Sequence, residues 1–282
     1  MTDRAVAAEH LDRDSDRIVV HHYPDPGGPA AVILPALGVP ARYYRTLAEH
    51  LGVAGFAVTV ADLRGTGDST PQPSRRSRYG YADLVDDVSA VLSATRARRG
   101  GRPTLLVGHS LGGQLSLLHL ARTGTGVDGV VLVATGLPYV RVYPPRQILR
   151  VLWLTQSVSL AAELLGVWPG WGFGGRQARG VIRDWGYTSR HGRFPTLAGW
   201  DAEAALRSVA TPVLAISVEG DDYTPPATTR QLISKIPAAP VTMETYTAAA
   251  AGGPVDHFRW VRSSAALATR IAAFAAELAP RR

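Results

Sequence analysis

The sequence predicts a doubly wound α/β fold with a mostly parallel sheet, on three observations. Continuous apolar segments rich in Val, Ile and Leu alternate along the chain with segments of helical spacing. Such runs are typical of parallel strands that helices cover on both faces. A Gly-x-Ser-x-Gly motif lies between one of these strands and a helix, at 108–112. A long segment at 138–209 lies between two strands and contains no clear strand of its own.

The elements follow from hydrophobic periodicity. The helix predicted at 83–96 has Leu84, Val88 and Val91 at spacings of three and four. Helices are also predicted at 42–51 and 261–278. Strands are predicted at 17–22, 31–34, 56–61, 104–107, 130–134, 213–217 and 241–246.

The domain organisation predicted from this order is a core of residues 1–137 and 210–282, with a mainly helical insertion at 138–209. The insertion contains five of the six tryptophans. A segment of this length fits over the carboxyl edge of the sheet as a lid, and one of its surfaces must face the pocket below. We predict Trp168, Trp171 and Trp185 as its substrate contacts.

Ser110 is the candidate nucleophile, because it lies at the centre of the glycine-flanked motif. A sharp turn between strand and helix holds such a serine with its hydroxyl exposed above the sheet. Side chains two residues before and after it would collide in this turn, so Gly108 and Gly112 leave the necessary room.

A serine hydroxyl needs an imidazole to take its proton and a carboxylate to orient that imidazole. In sheets of this kind the acid and then the histidine follow the serine along the chain. His257 comes after the last predicted strand and is the candidate base. Asp222 follows the strand at 213–217 and is the preferred acid, with Asp221 and Glu219 as alternatives.

Acyl transfer also requires donors for the developing oxyanion. The backbone N–H of Leu111 is one candidate, since it directly follows the nucleophile at a helix N-terminus. The second is expected in the loop after the strand at 31–34. Leu37 is our choice there, and Ala36 remains open.

Composition limits the remaining function classes. The chain has 282 residues, no cysteine and a net charge of +7. Cysteine-ligated metal and disulfides are therefore excluded. The arginines are mostly scattered and not interleaved with aromatic residues, so we expect no nucleic-acid partner. The first 17 residues have no apolar core typical of a secretory signal. The absence of cysteine fits a cytoplasmic location. The apolar stretch from Val151 is interrupted by polar residues, so we expect no stable membrane insertion.

Several of these segments resemble the α/β-hydrolase superfamily, and the resemblance covers nearly the whole chain. Residues 61–69, Ala-Asp-Leu-Arg-Gly-Thr-Gly-Asp-Ser, are similar to its loop after the fourth strand, and residues 108–114 to its nucleophile elbow. Further similarity to a bacterial branch of hydrolases lies at 183–185 and 257–260. Many relatives have His-Gly where this chain has Pro35-Ala36. The resemblance implies an eight-stranded sheet and a Ser-His-Asp hydrolase without metal or organic cofactor.

Three functions fit these residues. The first is hydrolysis of a carboxylic ester or lactone of a small or medium apolar substrate, which the aromatic lid favours. The second is thioester hydrolysis or acyl transfer on a CoA-linked or carrier-protein-linked acyl group. Arg75, Arg76 and Arg78 would support it by meeting a phosphate. The third is a non-catalytic ligand-binding protein on the same fold.

Overall fold

A central sheet organises the molecule in the computed structural model, which describes residues 6–13, 16–124 and 126–278. Over these residues, eight strands form one sheet in the order β1-β2-β4-β3-β5-β6-β9-β10, and two further strands form a hairpin. The pairs from β4 to β10 are parallel, whereas β1 and β2 are antiparallel. In chain order the strands are β1 (Ala7–Arg13), β2 (Asp16–His22), β3 (Ala30–Leu34), β4 (Ala57–Ala61), β5 (Thr104–His109), β6 (Gly129–Val133), β7 (Val167–Trp168), β8 (Gln177–Ala178), β9 (Val213–Val218) and β10 (Val241–Tyr246).

Helices cover both faces of this sheet, so neighbouring strand residues point into different cores. On β3, Val32 packs into the core beneath α2 and α3, and Ile33 into the core beneath α1 and α9. This is the doubly wound arrangement that the continuous apolar strands predict, and it is confirmed. The helices are α1 (Arg45–Val53), α2 (Tyr81–Arg99), α3 (Leu111–Thr123), α4 (Pro145–Leu165), α5 (Arg179–His191), α6 (Ala202–Leu206), α7 (Pro226–Ile233), α8 (Ala248–Ala251) and α9 (Ala265–Leu278).

Strand β1 is an element that the hydrophobic pattern did not predict. Its residues are mostly exposed or half-buried, and of its side chains Leu11 packs against the core. Its place at the edge of the sheet depends on backbone pairing with β2, which leaves little hydrophobic pattern to detect. The sequence also predicts that residues 1–17 contain no secretory signal. Of these, residues 1–5 and 14–15 lie outside the described residues.

The segment between β6 and β9 forms a small packed unit. Helix α4 packs against α5, and a core of Val158, Ala162, Trp168 and Ile182 lies between them and the β7-β8 hairpin. The expectation of no strand in this segment is wrong, because two-residue strands are too short to leave a period-two pattern. Helix α6 then packs on α3 and completes the crossover that leads to β9.

Helix α4 has 21 residues, more than the interrupted apolar stretch in the sequence indicated. Its length and composition alone would allow it to cross a membrane, but the core helix of a soluble protein can have the same length and composition. Within an apolar 18-residue stretch of this helix, only 22% is buried against the rest of the protein. The helix is therefore fixed to the lid along one narrow face, through Thr155, Val158 and Ala162.

His119 on α3 makes the stability of the fold depend on pH. Its ring lies 3.0 Å from the Ser89 hydroxyl and is buried, which lowers its pKa from 6.5 to about 4. Between these values the unfolded chain binds a proton that the folded chain does not, so acid favours unfolding. As the pH drops from about 6.5 to about 4, we expect protonation of this histidine in the unfolded chain to lower the free energy of unfolding by about 3 kcal/mol.

Urea unfolding of the wild type and of His119→Gln at pH 7, 5.5 and 4 measures this contribution. The variant should lose less stability over this range, because it has no imidazole to protonate in the unfolded state. Parallel stability profiles for the two proteins would contradict the assignment.

Candidate active site

Ser110 occupies a tight turn between β5 and α3. Its backbone has φ 52° and ψ −114°, a conformation that residues other than glycine rarely adopt. Its N–H donates to the Val133 carbonyl at 3.2 Å. A β-carbon on Gly108 would lie 2.4 Å from Gly113, and one on Gly112 would lie 2.0 Å from the Leu34 carbonyl oxygen. Both glycines therefore permit close backbone approaches, as their places in the motif predict.

His109 lies beneath this turn and is buried. Its Nδ1 lies 2.7 Å from the Tyr44 hydroxyl, and that hydroxyl accepts the Ala36 N–H at 2.8 Å. The Tyr44 hydroxyl thus connects the imidazole to the backbone of the loop after β3. Burial, with a smaller contribution from His257, holds the pKa of His109 well below its ordinary value. The residue is a neutral structural link between the elbow and the loop after β3.

His257 is held by Asp221, not by Asp222. The His257 Nδ1 lies 2.8 Å from Asp221 Oδ2, and both side chains are buried. The choice of Asp222 is therefore wrong, and the alternative Asp221 is the residue on the imidazole. Asp222 is exposed and borders the cavity above.

Local backbone geometry explains why Asp221 turns inward. Gly220 has a φ of +73°, and the chain turns there at the end of β9. The Asp221 Oδ1 then accepts the N–H groups of Tyr223 and Thr224, each at 2.8 Å, and the Thr224 hydroxyl donates to Oδ2 at 2.5 Å. An aspartate that accepts backbone N–H groups two and three residues ahead is a recognisable turn pattern. Asp221-x-x-Thr224 was the signal in the sequence that would have distinguished the two carboxylates.

The hydrogen bonds to Asp221 also determine its charge state. Burial alone would raise the pKa of this carboxyl group. The hydrogen bond and the electrostatic attraction from His257, together with the bonds from Thr224, outweigh burial and hold the pKa below its ordinary value. Asp221 is therefore a carboxylate at neutral pH, able to accept a hydrogen bond from the Nδ1–H of the imidazole.

A mainly apolar cavity of about 530 Å³ brings Ser110 and His257 together in its wall. Leu37, Leu111 and Tyr223 contribute from the core. The lid contributes Arg150, Val151, Trp153, Leu154, Phe173 and Trp185. The cavity thus lies between the carboxyl edge of the sheet and the lid.

Comparison with known proteins agrees with this arrangement. A family model described as serine aminopeptidase, S33, matches residues 30–250, which is most of the chain. The chain belongs to this α/β-hydrolase family. It is also 29% identical over 195 residues to the putative carbamate hydrolase RutD of Pantoea ananatis, covering 65% of this chain and 68% of that protein.

Two further similarities are more limited. Human protein ABHD12B is 37% identical over 97 residues, which span 33% of this chain and only a quarter (25%) of that protein. The thioesterase domain from the curacin biosynthetic pathway superposes with a TM-score of 0.64 at 19% identity, covering 95% of this chain and 99% of that one. At this identity the likeness concerns the fold alone. As a member of the family, the chain is an enzyme of the α/β-hydrolase type.

In this α/β-hydrolase the loop after β3 borders the cavity through both Ala36 and Leu37. The Ala36 N–H is already donated to Tyr44. Leu111 is the first residue of α3, where backbone N–H groups lack partners within the helix. Of the two alternatives that the sequence left open in this loop, the geometry therefore favours Leu37.

The three predicted tryptophan contacts have different positions in the structure. Trp185 lines the cavity, whereas Trp168 is buried in the lid core and its Nε1 donates to the Phe173 carbonyl at 2.8 Å. Trp171 packs edge-on against Trp168 and is 67% exposed. Trp168 and Trp171 are not among the described residues that line the cavity, so these two choices are wrong. Position in a motif does not reveal which way a loop side chain turns.

One group of side chains outside the cavity has the composition of a metal site. Ligand atoms of His21, Asp62 and Asp68 lie within 4.8 Å of one another. Asp62 already accepts the Ala41 N–H at 2.6 Å and lies 3.2 Å from the His21 Nε2. Its oxygens therefore serve to connect the loop after β4 to its neighbours.

Proposed function

We propose that this hydrolase cleaves carboxylic esters or lactones of small to medium apolar substrates through an acyl-enzyme on Ser110. One observation carries the proposal: Ser110 and His257 lie in the wall of one apolar cavity, and the Asp221 carboxylate bonds the His257 imidazole. The substrate's hydrocarbon would occupy the apolar space, with its carbonyl carbon at the serine.

In the proposed first step, Ser110 Oγ attacks the carbonyl carbon and the His257 Nε2 takes the hydroxyl proton. The carbonyl π-bond electrons move to oxygen as the new C–O bond forms. Collapse of this intermediate expels the alcohol, which takes the proton from the imidazolium. Water then repeats the sequence on the acyl-enzyme and releases the acid and free Ser110. Asp221 stabilises the imidazolium and maintains its tautomer throughout.

The proposed oxyanion donors are the backbone N–H groups of Leu37 and Leu111. Such donors act because they are fixed in place before charge develops on the carbonyl oxygen. Tyr44 would keep the loop in this position, since its hydroxyl bonds both the Ala36 N–H and the His109 Nδ1. No metal ion enters the proposed reaction.

The alternative of a CoA-linked or carrier-linked acyl group depends on the three arginines near residue 75. Arg75, Arg76 and Arg78 are exposed, and they are not among the described residues that line the cavity. We therefore retain ester or lactone hydrolysis as the proposal. The absence of activity on any acyl substrate would favour the non-catalytic alternative.

Covalent labelling tests the proposed nucleophile directly. A fluorophosphonate probe is expected to modify the wild type at Ser110, while Ser110→Ala remains unlabelled. Ser116 lies six residues further along the chain, in α3, and donates to the Gly112 carbonyl, so Ser116→Ala provides a matched control that should still be labelled. Peptide mapping by mass spectrometry identifies the site. Modification elsewhere, or undiminished labelling of Ser110→Ala, would disprove the assignment.

Acyl-chain dependence tests the proposed substrate class. Burial of hydrocarbon contributes about 25 cal/mol per Å² of apolar surface, so each added methylene favours binding by roughly 0.8 kcal/mol. We expect kcat/KM to rise from p-nitrophenyl acetate to the hexanoate, mainly through KM, because ground state and transition state gain alike. Trp185→Ala should flatten the series, and Trp171→Ala should not. A flat or falling wild-type series would contradict an apolar acyl pocket.

A further inference from the structure

The outer face of helix α4 is apolar and exposed along most of its length. Leu149, Trp153, Leu160 and Leu164 are 60–78% exposed. At 3.6 residues per turn, these four positions lie within an arc of about 60°. They form a stripe about 22 Å long, on the side of the helix away from its buried face. We call these four residues the lid stripe.

Positive charge accompanies the lid stripe. Residues 138–209 contain nine arginines and four acidic residues, a net charge of +5, out of +7 for the whole chain. Arg146 and Arg150 lie on α4 itself and Arg141 just before it, all three exposed. In the described part of the chain, no acidic group lies within salt-bridge distance of these three arginines.

We propose that the lid stripe docks on an anionic lipid surface, with the neighbouring arginines near the lipid head groups. A helix with an apolar face and arginines beside it is suited to lie in the plane of a lipid interface. Because its opposite face is packed against α5, α4 would lie along the surface while remaining part of the lid.

Charge makes a lipid surface a better partner than a second copy of the chain. Paired copies would bring two arginine-rich lids together. The one acidic residue on α4, Glu163, lies 3.3 Å from Arg179 of α5, so it is already engaged. An anionic lipid layer supplies both the apolar interior and the negative charge that this face lacks.

Docking in this way would direct the mouth of the cavity toward the lipid. Trp153 belongs to the lid stripe and lines the cavity, and Arg150 lines the cavity as well. An acyl ester would then pass from the lipid layer into the cavity without crossing bulk water. This second part rests on the proposed function, whereas docking itself does not require hydrolysis.

Vesicle flotation of the full chain tests docking. We expect at least tenfold more protein on phosphatidylcholine vesicles with 30% phosphatidylglycerol than on pure phosphatidylcholine. Leu149→Ser/Leu160→Ser/Leu164→Ser should lose at least tenfold in binding, and Arg141→Gln/Arg146→Gln should weaken it. Val53→Ser, at a 90% exposed position on α1, provides the matched control and should bind like the wild type.

Further measurements separate docking from folding, self-association and catalysis. Ser110→Ala should bind vesicles like the wild type, and the triple variant should keep the wild-type unfolding temperature and its rate on a soluble short-chain ester. The triple variant should lose at least tenfold in rate on a long-chain ester dispersed in anionic vesicles. In the wild type, brominated phosphatidylglycerol should quench tryptophan fluorescence, and Trp153→Phe should reduce that quenching.

Three results would overturn docking: equal binding to neutral and anionic vesicles, wild-type binding by the triple variant, or no quenching. A wild-type dimer that the triple variant converts to a monomer would assign the lid stripe to a second copy instead. Vesicle binding without any ester hydrolysis would refute the proposed function and leave docking intact.

Discussion

Asp221→Asn is expected to lower kcat on a soluble ester by about 10⁴-fold, as loss of the corresponding carboxylate does in other serine hydrolases. The amide can donate a hydrogen bond to Nδ1 and so favours the tautomer in which Nε2 carries the proton. An Nε2 that already holds a proton cannot accept the one from Ser110. The 2.8 Å contact of Asp221 Oδ2 with His257 Nδ1 is the basis for this expectation.

Asp222→Asn is the matched control, because it makes the same chemical change at the adjacent residue. We expect it to alter kcat by less than about threefold, since this exposed side chain is not the partner of the imidazole. Steady-state kinetics with p-nitrophenyl butyrate, together with thermal unfolding of each variant, measures both effects. A large loss in Asp222→Asn with an active Asp221→Asn would restore the prediction made from the sequence.

His257→Ala is expected to reduce kcat by 10³-fold or more, because no group would remain to take the Ser110 proton. Asp221 acts only through the imidazole. The double variant Asp221→Asn/His257→Ala should therefore be no slower than His257→Ala alone. A single-variant loss of less than tenfold would place the base elsewhere, and a further loss in the double variant would give Asp221 a separate role.

His191→Ala provides the control for this experiment. His191 follows Ser110 in the chain but lies in the lid, exposed and packed against the Tyr187 ring. It should retain wild-type activity, which would show that loss of a histidine after the nucleophile is harmful only at His257.

Predictions from the sequence succeeded where the local pattern and the three-dimensional requirement coincide. The inner parallel strands β3, β4, β5, β6 and β9 are buried on both faces, so their apolar runs are continuous and easy to detect. Gly108 and Gly112 are required by backbone approaches within a few residues of Ser110, and the motif records those approaches directly. His257 lies in the cavity wall as its position after β10 predicts, because chain order determines which strand ends meet at one edge of the sheet.

Predictions failed where side-chain direction decided the outcome. Asp221 and Asp222 have the same chemistry and adjacent positions, and the turn at Gly220 decides which one faces inward. Trp168 ends the two-residue strand β7 and Trp171 lies in the glycine-rich loop after it, so neither has a periodicity that predicts which way its side chain points. Trp153 lies on a helix that is apolar on several sides, so its place in the cavity wall had no distinguishing pattern.

The position of α6 has a consequence for how this enzyme can change. The lid is inserted after β6, and helix α6, which packs on α3, leads from the lid into β9. The unit of β6, α6 and β9 is therefore complete without the lid. We expect replacement of the segment before α6 to keep the sheet register, provided that the contacts of α5 with α2, such as the Tyr81 N–H on the Asp184 carboxylate, are retained. Part of the cavity wall above Ser110 thus belongs to a stretch of sequence outside the sheet. New specificities are therefore best sought by exchanging lids between relatives while keeping this core constant.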